Sequence, residues 1–237
     1  MRTVAVVLAG GSGLRLGGTV PKQLQLLAGR TLLEHSVSAF QQAPGVERLV
    51  VVLPAEFVAE GTRLLGSRYS KLTEIIAGGI DRPGSTLSAI ELLSGDGPSA
   101  ADFNVLFHDA ARPLVDQRII ADCVAALADC QAVGVVVPTA DTIVEIAGGV
   151  MTSIPPRESL ARCQTPQGFR LSVIRRAYQL AAADPDAAGF SATDDCGIVL
   201  RYLPDVKIRA IPGTERNLKI TYPGDLKVAE SFLAATD

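Results

Sequence analysis

A glycine-rich loop close to the N-terminus has the composition of a phosphate-binding loop. It reads LAGGSGLRLG over residues 8–17 and directly follows an apolar segment of strand length. Glycines there let backbone N–H groups converge on an anion, because no Cβ atom stands in the way. Two cations that could stabilise phosphate charge, Arg15 and Lys22, lie within fifteen residues of that segment's end. The spacing fits neither a dinucleotide fingerprint nor a Walker loop, so a structural turn remains the alternative.

A carboxylate follows a second apolar segment farther along the chain. Asp109 follows an apolar run that ends at Phe107, so we expect it at the carboxyl end of a strand. Ligands of open α/β sheets bind at that edge. A carboxylate there can hold Mg²⁺, directly or through water, and can accept hydrogen bonds from substrate hydroxyls. A helix N-cap ahead of Ala110 is the structural alternative for Asp109.

Strand-like and helix-like segments alternate over the first 140 residues. Three short runs rich in Val, Ile and Leu are typical of strands covered on both faces: Val4–Leu8, Leu49–Leu53 and Val133–Val137. Segments with helical spacing lie between them: Thr31–Gln41, Ser85–Leu93 and Ile119–Leu127. The alternation predicts an α/β fold with a doubly wound, mostly parallel, Rossmann-like sheet.

The pattern changes between residues 141 and 170. Two alternating apolar runs flank Gly148-Gly149, which suits a tight turn, and Pro155-Pro156 follows. We therefore predict that 141–170 is a β-hairpin arm on a single domain, 1–237. The remaining predicted elements are helices Leu171–Ala182, Asp194–Leu203 and Tyr222–Ala235, with a strand at Val206–Ile211.

Composition narrows the class of protein. The chain has 237 residues, a formal net charge of −3 and no block of Lys or Arg, which argues against a nucleic-acid binder. The apolar runs are too short for a membrane span, and the N-terminus resembles a core strand more than a signal peptide. We therefore expect a cytoplasmic protein with small-molecule partners. The four cysteines show no C-x-x-C spacing and are expected to be reduced.

Several motifs together resemble one enzyme family. The glycine loop is followed by Pro21-Lys22-Gln23, and five further blocks occur in the family's order: Gly78–Ser85, His108–Pro113, Asp141-Thr142, Gln164–Gln167 and Asn217–Thr221. In combination they resemble the CTP-dependent alditol-phosphate cytidylyltransferases, which have the nucleotide-diphospho-sugar transferase fold. The resemblance implies that an alditol phosphate oxygen attacks the α-phosphorus of CTP and pyrophosphate leaves. A phosphomonoester is already an oxyanion at neutral pH, so the reaction needs cations more than a general base.

The resemblance also implies a role for each matching residue. The residues implied to bind CTP are Leu8, Ala9, Gly10, Gly11, Gly79, Arg82 and Ser85. The implied catalytic cations are Arg15, Lys22, Arg157 and Lys219. Asp109, Arg112, Thr142 and Thr165 are implied to contact the acceptor, and Asp109 also to hold Mg²⁺. In relatives the arm completes the site of a neighbouring subunit, so a homodimer with Arg157 acting in trans is expected.

The identity of the acceptor remains open at this stage. Ala9-Gly10-Gly11, Asp141–Val144 and Ile154–Arg157 resemble enzymes that use D-ribitol 5-phosphate, the preferred interpretation. Thr193–Asp195 and Gln167–Phe169 instead resemble enzymes that use 2-C-methyl-D-erythritol 4-phosphate, the alternative. Two other classes are weaker: a dinucleotide-dependent oxidoreductase with Glu56 on the ribose, and a silent nucleotide sensor, which should have lost its transition-state cations.

Overall fold

The computed structural model describes residues 1–10, 21–95, 102–186 and 194–235. Two residues implied to act in the reaction, Gly11 and Arg15, lie outside these ranges.

A seven-stranded sheet forms the centre of the molecule. Its order is β11-β7-β10-β6-β1-β4-β5, and β10 runs antiparallel to both of its neighbours while the other pairs are parallel. The strands of the sheet are β1 (Thr3–Leu8), β4 (Arg48–Leu53), β5 (Leu72–Ala77), β6 (Asn104–Asp109), β7 (Ala132–Pro138), β10 (Ala161–Arg170) and β11 (Ile208–Pro212). Two small hairpins are β2 (Leu26–Leu27) with β3 (Arg30–Thr31), and β8 (Glu145–Ala147) with β9 (Val150–Ser153). The predicted mostly parallel α/β sheet is confirmed.

Seven α-helices occur in the described ranges, most of them packed on the two faces of the sheet. They are α1 (Leu32–Gln42), α2 (Val58–Leu65), α3 (Arg82–Ser94), α4 (Gln117–Ala126), α5 (Leu171–Ala183), α6 (Asp195–Tyr202) and α7 (Pro223–Ala234). Every predicted helix is present, with bounds that shift by up to three residues at either end. None of the described helices is long and apolar enough to span a membrane.

Strand β1 shows why an unalternating apolar run forms a central strand. All six of its residues are buried. Ala5 and Val7 belong to the hydrophobic core that includes α1 and α4, whereas Val4 and Val6 belong to the core that includes α3 and α5. Because successive side chains of a strand point to opposite faces, a strand covered on both faces needs apolar residues throughout.

The order of the strands places a crevice at the end of β1. The chain adds β4 and β5 on one side of β1 and then returns to add β6 on the other. Leu8 lies directly beside Asp109 in the β1–β6 register, so both strands end at the same edge. In doubly wound sheets a reversal of this kind is the usual ligand-binding point.

The predicted arm is shorter than the sequence indicates. β8 and β9 form an exposed hairpin joined by Gly148 and Gly149, whose φ angles are +58° and +81°. Residues 161–170, however, form β10 in the central sheet, so the predicted range 141–170 extends too far along the chain. The continuous burial of β10 from Gln164 to Phe169 identifies it as a core strand.

Candidate active site

The loops after β1 and β5 meet at the first turn of α3. Ala9 extends β1 through a 2.8 Å hydrogen bond from its N–H to the Val52 carbonyl. A Cβ atom on Gly10 or on Gly78 would lie only 2.6 Å from the Ser85 hydroxyl. A Cβ atom on Gly79 would lie 2.7 Å from the Gly84 backbone, a distance that side-chain movement cannot relieve. Glycines therefore allow these backbones to approach each other closely.

This junction brings together the described residues implied to bind CTP. Gly10 lies against Ser85, Gly79 lies against Gly84 in the same first turn of α3, and Leu8 is the last residue of β1. Helix α3 starts here because Asp81 is its N-cap and accepts a 2.8 Å hydrogen bond from the Gly84 N–H. The arrangement offers backbone groups and a helix N-terminus beside the β1–β6 crevice.

Asp109 lies in this crevice between two cations. Its Oδ1 is 3.0 Å from Nε of Arg82, and its Oδ2 is 2.8 Å from Nζ of Lys219. Burial alone would raise the pKa of Asp109, but Arg82 and Lys219 outweigh it and hold that pKa well below its usual range. The carboxylate is therefore ionised at neutral pH, with one cation on each oxygen.

The two cations differ in how freely they can move. The Lys219 side chain is 42% exposed, whereas the Arg82 side chain is 19% exposed. Arg82 is also 2.9 Å from Oδ2 of Asp195, whose side chain is fully buried at the start of α6. Burial lowers the pKa of Arg82, but Asp195 and Asp109 more than compensate and raise it above its ordinary value. Lys219 is thus the cation that can leave Asp109.

His108 and Thr165 support the backbone of Asp109. The Thr165 hydroxyl accepts a 3.1 Å hydrogen bond from the Asp109 N–H and lies 3.0 Å from Nδ1 of His108. Burial lowers the pKa of His108 to about 4, so the ring is neutral at pH 7. Its Nε2 faces the Arg112 carbonyl at 3.0 Å and must carry the proton, so Thr165 donates to Nδ1. Thr165 and His108 therefore hold the loop and present no general base.

Arg112 connects the Asp109 loop to two other segments. Its terminal nitrogens donate to the carbonyls of Asn217 at 2.8 Å and Cys163 at 3.2 Å. Asn217 is fully buried, and its amide donates to the Thr165 carbonyl at 2.9 Å. These bonds fix the segment that carries Lys219 beside Asp109. Arg112 therefore stabilises the site with the same terminal nitrogens that could otherwise bind a substrate.

Arg157 and Thr142 lie together at the base of the arm. Arg157 donates to the Thr142 hydroxyl at 3.1 Å and lines a cavity of about 390 Å³ with the end of β7. Among the described residues, no hydrogen bond or ion pair joins this pair to Asp109 or Lys219. The structure therefore pairs Arg157 with Thr142, and their role in the reaction stays a prediction.

Lys22 starts a short 3₁₀ turn, Lys22–Leu24, which follows Pro21, the first described residue after 11–20. The neighbouring Gln23 is buried at 3% exposure, and the Lys22 carbonyl accepts a hydrogen bond from the Gln25 N–H at 3.1 Å. The backbone that carries the Lys22 ammonium is therefore fixed. The role of Lys22 in the reaction stays a prediction.

Sequence reasoning assigned no role to Asp195 and Tyr178. The Tyr178 hydroxyl donates to Oδ1 of Asp195 at 2.7 Å, and Asp195 in turn pairs with Arg82. Asp195 follows the helix N-cap Asp194 and resembles an ordinary first-turn acid. Tyr178 lies on the buried face of α5. The only sequence signal was the pair of adjacent acids in Thr193–Asp195.

The chain matches the family model for 2-C-methyl-D-erythritol 4-phosphate cytidylyltransferase over residues 3–235. It is 50% identical to the 2-C-methyl-D-erythritol 4-phosphate cytidylyltransferase of Thermobifida fusca, over 98% of this chain and 93% of that protein. It is 35% identical to the bifunctional ribulose 5-phosphate reductase/CDP-ribitol pyrophosphorylase Bcs1 of Haemophilus influenzae, over 98% of this chain and 48% of that protein.

Solved structures show the same fold. The 4-diphosphocytidyl-2C-methyl-D-erythritol synthase of Anaerococcus prevotii superposes with a TM-score of 0.83 at 24% identity, covering 98% of each chain. The 2-C-methyl-D-erythritol 4-phosphate cytidylyltransferase of Thermus thermophilus gives 0.73 at 28% identity, covering 97% of this chain and 98% of the other. The protein is thus a CTP-dependent nucleotidyltransferase that acts on an alditol phosphate. By fold, site motifs and sequence, this chain belongs to the 2-C-methyl-D-erythritol 4-phosphate cytidylyltransferase family.

Proposed function

We propose that this protein transfers the cytidylyl group of CTP to 2-C-methyl-D-erythritol 4-phosphate and releases pyrophosphate. The observation that carries the chemistry is the Lys219–Asp109–Arg82 cluster beside the glycine-built junction at the end of β1. The choice of acceptor is supported by the 50% identical Thermobifida fusca relative and by the family model. It replaces the preference for ribitol 5-phosphate that the sequence motifs indicated.

The arrangement suits attack by an anion that needs no general base. His108, the histidine nearest Asp109 in sequence, is neutral and has both ring nitrogens engaged. The acceptor phosphate is already an oxyanion at neutral pH, so the protein must bring two anions together and stabilise the growing negative charge. Lys22 and Arg15 are the proposed stabilisers at the α-phosphate, and Leu8–Gly11, Gly79, Arg82 and Ser85 the proposed CTP contacts.

Lys219 is proposed to exchange partners when the acceptor binds. Its ammonium is held by Asp109 and partly exposed, so a phosphate dianion can attract it at little desolvation cost. This exchange frees Oδ2 of Asp109 while Arg82 continues to hold Oδ1. The freed oxygen can then accept a hydrogen bond from an acceptor hydroxyl or contact a cation.

The family is divalent-metal-dependent, and we propose Mg²⁺ as the ion. Among the described residues, no group of three or more His, Cys, Asp or Glu side chains could hold a metal. Mg²⁺ commonly takes one or two carboxylates and completes its shell with substrate phosphates and water. The donor set therefore fits an ion that CTP brings, with Asp109 as its protein ligand, and the ion would neutralise triphosphate charge.

The direct test measures pyrophosphate release with CTP and Mg²⁺. We expect kcat/KM for 2-C-methyl-D-erythritol 4-phosphate to exceed that for D-ribitol 5-phosphate by about 100-fold or more, because a polar pocket that fits one acceptor leaves its groups unpaired with the other. A reaction without acceptor is the control. A preference for ribitol 5-phosphate would establish the alternative, which the Haemophilus influenzae relative supports.

We also propose a homodimer in which the arm, redefined as residues 139–160, reaches the partner subunit. Ile146, Val150 and Met151 on the hairpin are each more than 60% exposed, and a two-stranded hairpin alone is marginally stable in water. A second subunit would cover them and would bring Arg157 and Thr142 to the partner's Lys219. Both substrates carry several negative charges and do not cross a bilayer unaided, so we place the enzyme in the cytoplasm.

Mixing two inactive variants tests the proposed exchange of arms. Arg157→Ala and Lys219→Ala homodimers should each be inactive. Random reassembly of equal amounts should restore about a quarter of wild-type activity, because half of the dimers are mixed and each has one intact site. Co-purification of a tagged Arg157→Ala subunit with an untagged Lys219→Ala subunit under the same conditions controls for reassembly. No recovery on mixing, in a preparation where that control shows exchange of subunits, would show that Arg157 acts within its own subunit.

A further inference from the structure

Arg82 is one link in a chain of four alternating charges. The order is Lys219, Asp109, Arg82 and Asp195, with closest N–O distances of 2.8, 3.0 and 2.9 Å. The chain begins at the half-exposed Lys219 and ends at the fully buried Asp195. Each internal group therefore has an opposite charge on both sides, the condition under which buried charges are tolerated.

The buried end of the chain is held by Tyr178. Its hydroxyl donates to Oδ1 of Asp195 at 2.7 Å, so Asp195 has one oxygen for Tyr178 and one for Arg82. Burial, and then the Asp195 charge, raise the pKa of Tyr178, so the hydroxyl keeps its proton and stays a donor. The Asp195 backbone N–H donates to Oε1 of Gln167 at 3.0 Å, which fixes the start of α6.

We infer that Tyr178 and Asp195 are positioning residues for cytidylyl transfer, which act by holding Arg82 to a single oxygen of Asp109. The inference rests on the proposed function. Asp195 is fully buried and Tyr178 is 7% exposed, so each acts through Arg82 without touching a substrate.

The geometry explains why Arg82 must contact only one of the two carboxylate oxygens of Asp109. A guanidinium readily binds both oxygens of a carboxylate. If Asp195 lost its charge, the Arg82 guanidinium could donate to both oxygens of Asp109. It would then cover the oxygen that Lys219 vacates. If Tyr178 lost its hydroxyl, Asp195 could turn both oxygens to Arg82 and draw it away from Asp109. In either case Asp109 would be misplaced for the acceptor.

Tyr178→Phe is the sharpest variant because it removes one hydroxyl and keeps the buried ring. We expect kcat/KM for the acceptor to fall about tenfold, the size expected for a hydrogen bond to a charged group. Tyr202→Phe is the matched control: Tyr202 donates to Asp184 at 2.8 Å from the far end of α6. Its activity should stay within about twofold of wild type.

A double-mutant cycle separates positioning from general stability. Lysine at position 82 cannot reach two carboxylates as a guanidinium does, so in an Arg82→Lys background Tyr178→Phe should have no further effect. A full tenfold loss in that background, or wild-type activity of Tyr178→Phe alone, would overturn the inference. Asp195→Asn should cost more than Tyr178→Phe, with the same loss of additivity.

A measurement without substrate makes the result independent of the proposed function. The Arg82 Nε–H resonance in ¹⁵N NMR reports its hydrogen bond to Asp109, and it should shift in Tyr178→Phe and not in Tyr202→Phe. An unchanged resonance would show that Tyr178 does not position Arg82. If wild-type protein releases no pyrophosphate with either alditol phosphate, the proposed function fails, and the role in catalysis inferred here fails with it.

Discussion

Replacing Asp109 with Asn should lower kcat/KM for the acceptor on the order of 1,000-fold, comparable with losing one preorganised charged group from an active site. Asn has nearly the same shape as Asp but lacks the negative charge that pairs with Arg82 and Lys219. It can no longer hold Lys219 ready for the acceptor phosphate or contact a divalent cation as an anion. Steady-state rates of pyrophosphate release at varied acceptor and Mg²⁺ concentrations would measure the loss.

CTP binding should respond differently to the same change. Removing a negative charge near a triphosphate reduces repulsion, so the CTP dissociation constant of Asp109→Asn, measured calorimetrically without metal, should stay constant or decrease. Unfolding should remain cooperative because Arg82 keeps Asp195 and the half-exposed Lys219 can be hydrated. Asp102→Asn is a matched control. Asp102 lies just before the first residue of β6, at the end of the strand opposite Asp109, and accepts hydrogen bonds from the N–H and the hydroxyl of Ser172. Activity of Asp109→Asn within about tenfold of wild type would contradict the assignment.

The depressed pKa of Asp109 sets the pH range over which this charge acts. Because the folded-state pKa lies below the unfolded value, the stabilisation is fully present above about pH 4 and is lost only as pH falls toward the folded pKa. Protonation of Asp109 therefore does not limit activity at neutral pH. His108, with a pKa of about 4, is also neutral there.

The sequence predicted the centre of the sheet better than its edge. β1, β4 and β7 are buried on both faces and carry unbroken apolar runs that a period-based analysis detects. β5 is an edge strand whose residues alternate irregularly between exposed and half-buried, and α2 is eight residues long with Gly61 inside it, so neither was predicted. Edge elements bury less apolar surface and therefore have a weaker sequence pattern.

The site was predictable where residues adjacent in sequence form one motif, and not where the fold creates the contact. Asp109 was predicted at the end of a strand, and the structure places it there. The contact from Tyr178 through Asp195 to Arg82 joins α5, α6 and α3, which no local spacing reveals. The length of the arm was overestimated because Ala161–Arg170 carries polar residues at core positions, where Gln164 and Gln167 hydrogen-bond internally.

The acceptor could not be chosen from short motifs for a physical reason. The two alditol phosphates differ by one methyl branch, one carbon in the backbone and one hydroxyl group, and they share the phosphate that Lys219 and Arg157 would bind. Residues that bind the shared group cannot discriminate between them. Local choices such as Ala9-Gly10 lie at the glycine-built junction proposed to bind CTP, so they carried less information about the acceptor than identity over the whole chain.

Replacing Lys22 with Ala should lower kcat by about 100- to 1,000-fold, or on the order of 3 to 4 kcal/mol, with a smaller effect on the CTP dissociation constant. The backbone of Lys22 is fixed by the Lys22–Leu24 turn and the buried Gln23, so its ammonium can be preorganised before the substrates react. Negative charge at the α-phosphate grows on the way to the transition state, so a preorganised cation gains most there. Single-turnover rates and calorimetric CTP binding separate the two effects. Lys227→Ala, on the exposed face of α7, is the matched control and should change neither quantity. Equal losses in kcat and in CTP affinity would mean that Lys22 binds the ground state, and the assignment of transition-state charge would then fall to Arg15.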